Sequence, residues 1–182
     1  MFREPLDRHL ASLFQWHGDG VIRKGLVASR EDTPVARLDV EALQALLLAE
    51  LREHRLAGQR EALHGLCQEL RIPVQDLSYG EMSRRGLYQS EVIDLHLFRF
   101  DQFFPAYPAL IHAAMGLDLQ AVRTNIGAEK WYASKYLEFR EKVRLPAAVI
   151  EMVYVDKKDL IDVFYPGRFQ VLLAAAISRY AA

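Results

Sequence analysis

Apolar positions recur at helical spacing along most of this chain. Leu6, Leu10, Leu13 and Phe14 share one face of a stretch from Pro5 to His17, where Pro5 suits a first turn and Gly18-Asp19-Gly20 is placed to end the helix. Asp39 reads as the cap of a helix that continues to Leu56 and closes at Gly58. The next, Gln59–Arg71, carries Leu63, Leu66, Cys67 and Leu70 on one side and stops before Pro73. Further helices are predicted over Glu91–Phe104, Ala109–Met115, Leu119–Arg123, Ala128–Val143 and Arg168–Tyr180. The 91–104 stretch also supports a strand, with Ile93, Leu95 and Leu97 alternating against Asp94, His96 and Phe98. It runs 14 residues without an internal glycine or proline, long for a strand, so helix is the expectation.

Three runs have strand character. Val21–Val27 is short, β-branched and bounded by glycines. Val149–Val155 and Leu160–Tyr165 are β-branched and aromatic, joined by the polar tetrad Asp156-Lys157-Lys158-Asp159, which reads as a β-hairpin. The expected fold class is α+β, predominantly helical: one globular domain over residues 1–182, with a small C-terminal β-hairpin and a terminal helix.

Composition narrows the class. Apolar residues at 51% and charged residues at 26% exclude a disordered or low-complexity chain, and the single cysteine, Cys67, excludes an internal disulfide or a cysteine-based zinc site. Residues 1–91 hold 12 basic and 14 acidic groups and residues 92–182 hold 11 and 10, so no basic concentration points to nucleic acid. The amino terminus sets acids and Pro5 where a signal peptide has its apolar core. The longest apolar run, Val171–Ile177, is far below the ~18–20 residues that span a bilayer. A cytoplasmic protein without a membrane span is expected.

Standard catalytic motifs are absent: no phosphate loop, no Gly-x-Gly-x-x-Gly, no His-Glu-x-x-His and no Gly-x-Ser-x-Gly elbow, and no motif calls for a cofactor. Asp156-Lys157-Lys158 has the order of a metal-nuclease element. Its nearest carboxylate, Glu151, is an odd number of strand residues away and points to the other face, so a charged turn is the better reading. Residues 63–78 have the spacing of a helix-turn-helix but offer a major groove only Gln75, Ser78 and Tyr79 before Arg84. Glu61 and His64 stand at the spacing of a di-iron ligand pair on the polar side of their helix, with no second copy, and read as a solvated edge. Cys67, among leucines, reads as a core residue.

One constellation stands apart. With Leu43 at zero on a helical wheel, Glu50 and His54 fall about 20° to either side of it, inside the apolar stripe that Val40, Leu46, Leu47 and Leu51 form with Leu43. On a helical 91–104 element, His96 and Arg99 interrupt the apolar face in the same way. Ionisable groups at core-facing positions must be paired, because an unpaired buried charge costs several kcal/mol. Glu50, His54, His96 and Arg99 are therefore expected in one neighbourhood, as a register-fixing network or as acid/base groups or metal ligands between helices. His17 lies on the inner face of the first helix and is a further candidate, or a histidine set against free helix-end carbonyls.

Two functional classes follow. The first is a non-catalytic protein that acts by binding a protein partner or itself, supported by absent catalytic motifs and by 9 Phe, 8 Tyr and 2 Trp. The second is a small metal-dependent or acid/base enzyme built on the four residues above. The apolar stripe of the terminal helix, Phe169 to Tyr180, adds the expectation of a homodimer through the 149–180 region.

Overall fold

A computed structural model describes residues 4–53, 59–77, 79–80, 85–89, 94–97, 107–109, 111–113, 116–118 and 129–182. In chain order the elements are α1 (Pro5–Phe14), a π-helical turn (Gln15–Gly20), α2 (Val21–Arg23), α3 (Pro34–Arg37), α4 (Val40–Arg52) and α5 (Gln59–Leu70). A 3-10 turn (Val74–Asp76) and strands β1 (Tyr79–Gly80), β2 (Arg85–Gln89) and β3 (Asp94–Leu97) follow. The last four helices are α6 (Ala133–Lys142), α7 (Ala147–Asp156), α8 (Lys158–Phe164) and α9 (Phe169–Tyr180). The chain packs into two units, one from Glu4–Ala57, Asn125–Asp156 and Leu172–Ala182, the other from Met1–Arg3, Gly58–Thr124 and Lys157–Val171.

The first unit is a helical cluster centred on α1, which packs against α4, α6 and α7. Its core contains the predicted stripe Leu6, Leu10, Leu13 and Phe14, facing Leu43, Leu47 and Leu51 of α4, Phe139 of α6 and Ile150 and Val153 of α7. Local chemistry starts α1 and α4 where the sequence indicates, and it also starts the short helix α3 inside residues 28–38, whose Ser, Asp, Thr and Pro read as a loop. Asp39 Oδ1 accepts from the Ala42 N–H at 2.8 Å, Thr33 Oγ1 accepts from the Ala36 N–H ahead of Pro34, and Glu4 Oε2 accepts from the Asp7 N–H at 2.9 Å ahead of Pro5. At the other end, the Leu145 N–H donates to the Tyr180 carbonyl and the Ala182 N–H to the Leu145 carbonyl, which ties the end of α9 to the α6–α7 link.

The second unit holds α5, α8 and a three-stranded antiparallel sheet in the order β1-β2-β3, with Leu87 opposite His96 and Tyr88 opposite Leu95. α5 ends in a Schellman arrangement. The Ile72 N–H reaches back to the Cys67 carbonyl at 2.8 Å and the Arg71 N–H to the Gln68 carbonyl, with Arg71 itself at φ +56°. Cys67 and Ile72 are both buried, and burial pushes the Cys67 thiol pKa up, as befits a core residue. His64 Nε2 lies 2.7 Å from Asp159 Oδ2, so the side chain read as solvated is half-exposed and engaged.

The C-terminal β-hairpin is not formed, and the α+β class with a hairpin at its C-terminus is corrected accordingly. Both expected strands are helices, α7 and α8, broken only at Lys157. β-branched composition suggested strands, but burial follows the helical period: Ile150, Val153 and Tyr154 are inside on α7. Packing overrides the propensity of valine and isoleucine, which is a weak preference and depends on context. For the same reason Val21–Val27 is a helix end and turn, not a strand. The described part of 91–104 goes the opposite way: β3 is a strand, and Leu97 is buried as period-two alternation places it. The helix expected at 119–123 lies outside the described residues, whereas 107–109 and 111–113 are helical.

Candidate functional site

The glycines expected to end the first helix instead let it widen. Gln15–Gly20 forms a π-helical turn that runs directly into α2. A Cβ on Gly18 would stand 3.2 Å from the Tyr132 ring, and one on Gly20 would stand 3.0 Å from the Gln15 carbonyl oxygen, so both positions are closely occupied. Such turns inside helices recur at functional sites because they re-aim side chains that a regular helix would point elsewhere. Here they re-aim Trp16, His17 and Asp19.

Asp19 points to the start of α6. Its Oδ2 accepts from Lys130 Nζ and its Oδ1 from the Trp131 indole N–H, each at 2.9 Å. Burial works to raise the carboxyl pKa, but the hydrogen bonds from Lys130 and Trp131 and the charges of Lys130 and Arg23 outweigh it and hold the pKa below the ordinary value. Trp131 meets Tyr132 edge-on with ring centroids 5.2 Å apart. Tyr132, Tyr136 and Phe139 all surround Phe14, at 5.7, 5.3 and 5.6 Å. The charged clamp thus sits at the end of an aromatic core.

His17 turns toward α4. Its Nε2 lies 3.2 Å from Glu50 Oε1, with the side chains 22% and 12% exposed. Glu50 is therefore engaged at the core-facing position its spacing implied, and its partner is the further candidate His17. His54 and Arg99 lie outside the described residues. The backbone of His96 is in β3, paired with Leu87. Among the described residues, no group of three or more His, Cys, Asp or Glu converges as a metal would need.

A second polar cluster joins α1, α6 and α9. Arg140 Nη2 donates to both Asp7 oxygens, at 3.0 and 3.1 Å, and the Tyr180 hydroxyl donates to Asp7 Oδ1 at 3.2 Å. Burial and the Asp7 charge push the Tyr180 phenol up to about 12, so it stays a donor throughout the physiological range. Sequence patterning missed both clusters. Asp7 and Arg140, and Asp19 and Lys130, are separated by more than a hundred residues, and nothing in the local pattern around either partner names the other.

The outward side of the π turn is apolar. Trp16 is 51% exposed, with Lys24 Nζ over its ring at 4.4 Å. α2 ends in a Schellman motif in which the Leu26 N–H bonds the Val21 carbonyl and the Gly25 N–H bonds the Ile22 carbonyl, with Gly25 at φ +68°. That turn projects Leu26, which is 69% exposed. No single described helix is long and apolar enough to cross a membrane. Comparison with protein-family models, with curated proteins and with solved structures returns no match.

Proposed function

We propose that this chain is a non-catalytic binding protein that engages a protein partner through the surface around Trp16. The observation that carries the reading is a half-exposed tryptophan on a π turn whose neighbouring Asp19 is clamped to Lys130 and Trp131. Tryptophan is favoured at the centres of interfaces because it combines a large apolar area with one polar atom, and a rigid mount lowers the entropy lost on binding. The internal carboxylates Asp7, Asp19 and Glu50 are each engaged by side chains of the same unit, which suits a structural role for them.

Wild-type and Trp16→Ala chains immobilised side by side provide the test. A protein retained by the wild type is expected to bind the variant at least ~30-fold more weakly, the loss of an interface anchor worth about 2 kcal/mol. Identical retention by both chains refutes the reading.

The second reading, an acid/base enzyme, draws on the His17–Glu50 pair, two groups able to exchange a proton at a half-buried position. It requires His17→Gln and Glu50→Gln each to abolish a turnover that the wild type supports while melting within a few degrees of it.

A further inference from the structure

We propose that Glu4 is a proton-operated clasp for the first helix: its protonated carboxyl keeps Glu4 docked as the cap of α1 beside Asp7, and its ionisation loosens that cap. Glu4 Oε2 caps α1 by accepting the Asp7 N–H, while Glu4 Oε1 is buried with no hydrogen-bond partner. Arg140 is engaged elsewhere, because it gives Nη2 to both oxygens of Asp7, and the charge of Arg179 acts on Glu4 without supplying Oε1 a hydrogen bond. Arg140 Nε is itself buried without a partner, so the cluster holds an orphaned donor as well as an orphaned acceptor. A charged Glu4 would bring a second negative charge beside Asp7 with one oxygen unsolvated, which a dry site disfavours strongly.

Of the helices that touch α1, α6 brings Arg140, α9 brings Arg179 and Tyr180, α7 brings Tyr154, and α4 brings Glu50, the last engaged by His17. Burial is the largest influence on Glu4 and raises its pKa. The backbone hydrogen bonds of Asp7 and Leu6 and the charge of Arg179 oppose that, the Asp7 charge adds to it, and the pKa reaches about 7 from an ordinary 4.5. The sign follows. A folded pKa above the unfolded one stabilises the docked state fully below about pH 4.5, and that stabilisation is lost as pH rises through about 7. This range includes neutrality, so the clasp would respond to modest changes in pH.

The experiment is a carbon-13 NMR titration of the Glu4 side-chain carboxyl in the full chain, with amide hydrogen exchange measured at Asp7 and Arg8. Their N–H groups bond to Glu4 Oε2 and to the Glu4 carbonyl. We expect a carboxyl midpoint near neutrality. Once intrinsic exchange is divided out, the opening constant at those two amides should rise by the order of 100-fold between pH 4.5 and 7. Glu4→Gln keeps an oxygen to cap Asp7 and carries no charge, so its protection should stay flat with pH. A midpoint in the ordinary carboxylate range overturns the proposal. So does a neutral midpoint with unchanged protection, or a Glu4→Gln chain that opens with pH as the wild type does. The wild-type titration alone decides should the variant fail to fold.

Discussion

Arg71 occupies the position that closes α5, and replacing it with glycine should stabilise the protein. Its φ of +56° lies in the left-handed region, where the Cβ of an L-residue crowds the following carbonyl and costs roughly 1–2 kcal/mol. The closure holds it there: the Ile72 N–H bonds the Cys67 carbonyl at 2.8 Å, the Arg71 N–H bonds the Gln68 carbonyl at 3.2 Å, and Ile72 and Cys67 are buried. Glycine adopts this conformation without the steric cost, but its unfolded chain is freer by ~0.5–1 kcal/mol. The difference leaves a gain of about 0.5–1 kcal/mol for Arg71→Gly. For a chain of this length that is a rise in melting temperature of roughly 1–4 °C. Arg71→Ala is the control: it removes the same exposed side chain and keeps the Cβ, so it should stay within ~0.5 kcal/mol of the wild type. Urea and thermal unfolding followed by circular dichroism at the helical minimum measure all three proteins. Arg71→Gly at or below Arg71→Ala would show that left-handed strain does not govern this helix end.

Phe14 is fully buried among three aromatic rings, so Phe14→Ala should cost ~3–5 kcal/mol; Phe14→Leu, which retains most of the volume but loses the ring contacts, should cost ~1–2 kcal/mol. Equal losses in denaturant unfolding would contradict that ordering. Asp19→Asn leaves Lys130 without its counter-charge and should cost about 1–2 kcal/mol near neutrality. Because the folded pKa of Asp19 is depressed, its stabilisation is present above the ordinary value of 3.8 and fades as pH falls through the lower folded value. The gap between wild type and variant should therefore close in acid. The apolar stripe of the terminal helix carries the expectation of a homodimer through the 149–180 region, and Val171 of that helix is exposed. Light scattering should give about twice the 20.9 kDa chain mass, and a concentration-independent mass near 20.9 kDa refutes the dimer.

Residue order alone determined the helices whose signals are local. α1 and α4 begin at caps written in three or four adjacent residues, and their stripes Leu6-Leu10-Leu13 and Leu43-Leu47-Leu51 are buried as their spacing requires. The inward position of Glu50 was legible for the same reason, since a wheel position depends only on the helix that contains it. The partner was decided elsewhere. His17 meets Glu50 because Gly18 and Gly20 admit a π turn, and that turn depends on close approach to Tyr132, more than a hundred residues away. Asp7 with Arg140 and Asp19 with Lys130 are likewise products of packing, because a polar residue on a helix has no periodicity that names its contact. The stretches 149–165 and 94–97 show the same limit from both sides. Val149 to Val155 has strand composition and is helical, and Asp94 to Leu97 was expected to be helical and is a strand. Backbone preference at such residues spans about 1 kcal/mol, less than the ~1.5–3 kcal/mol gained by burying one large apolar side chain, so the tertiary arrangement chooses between the two periods.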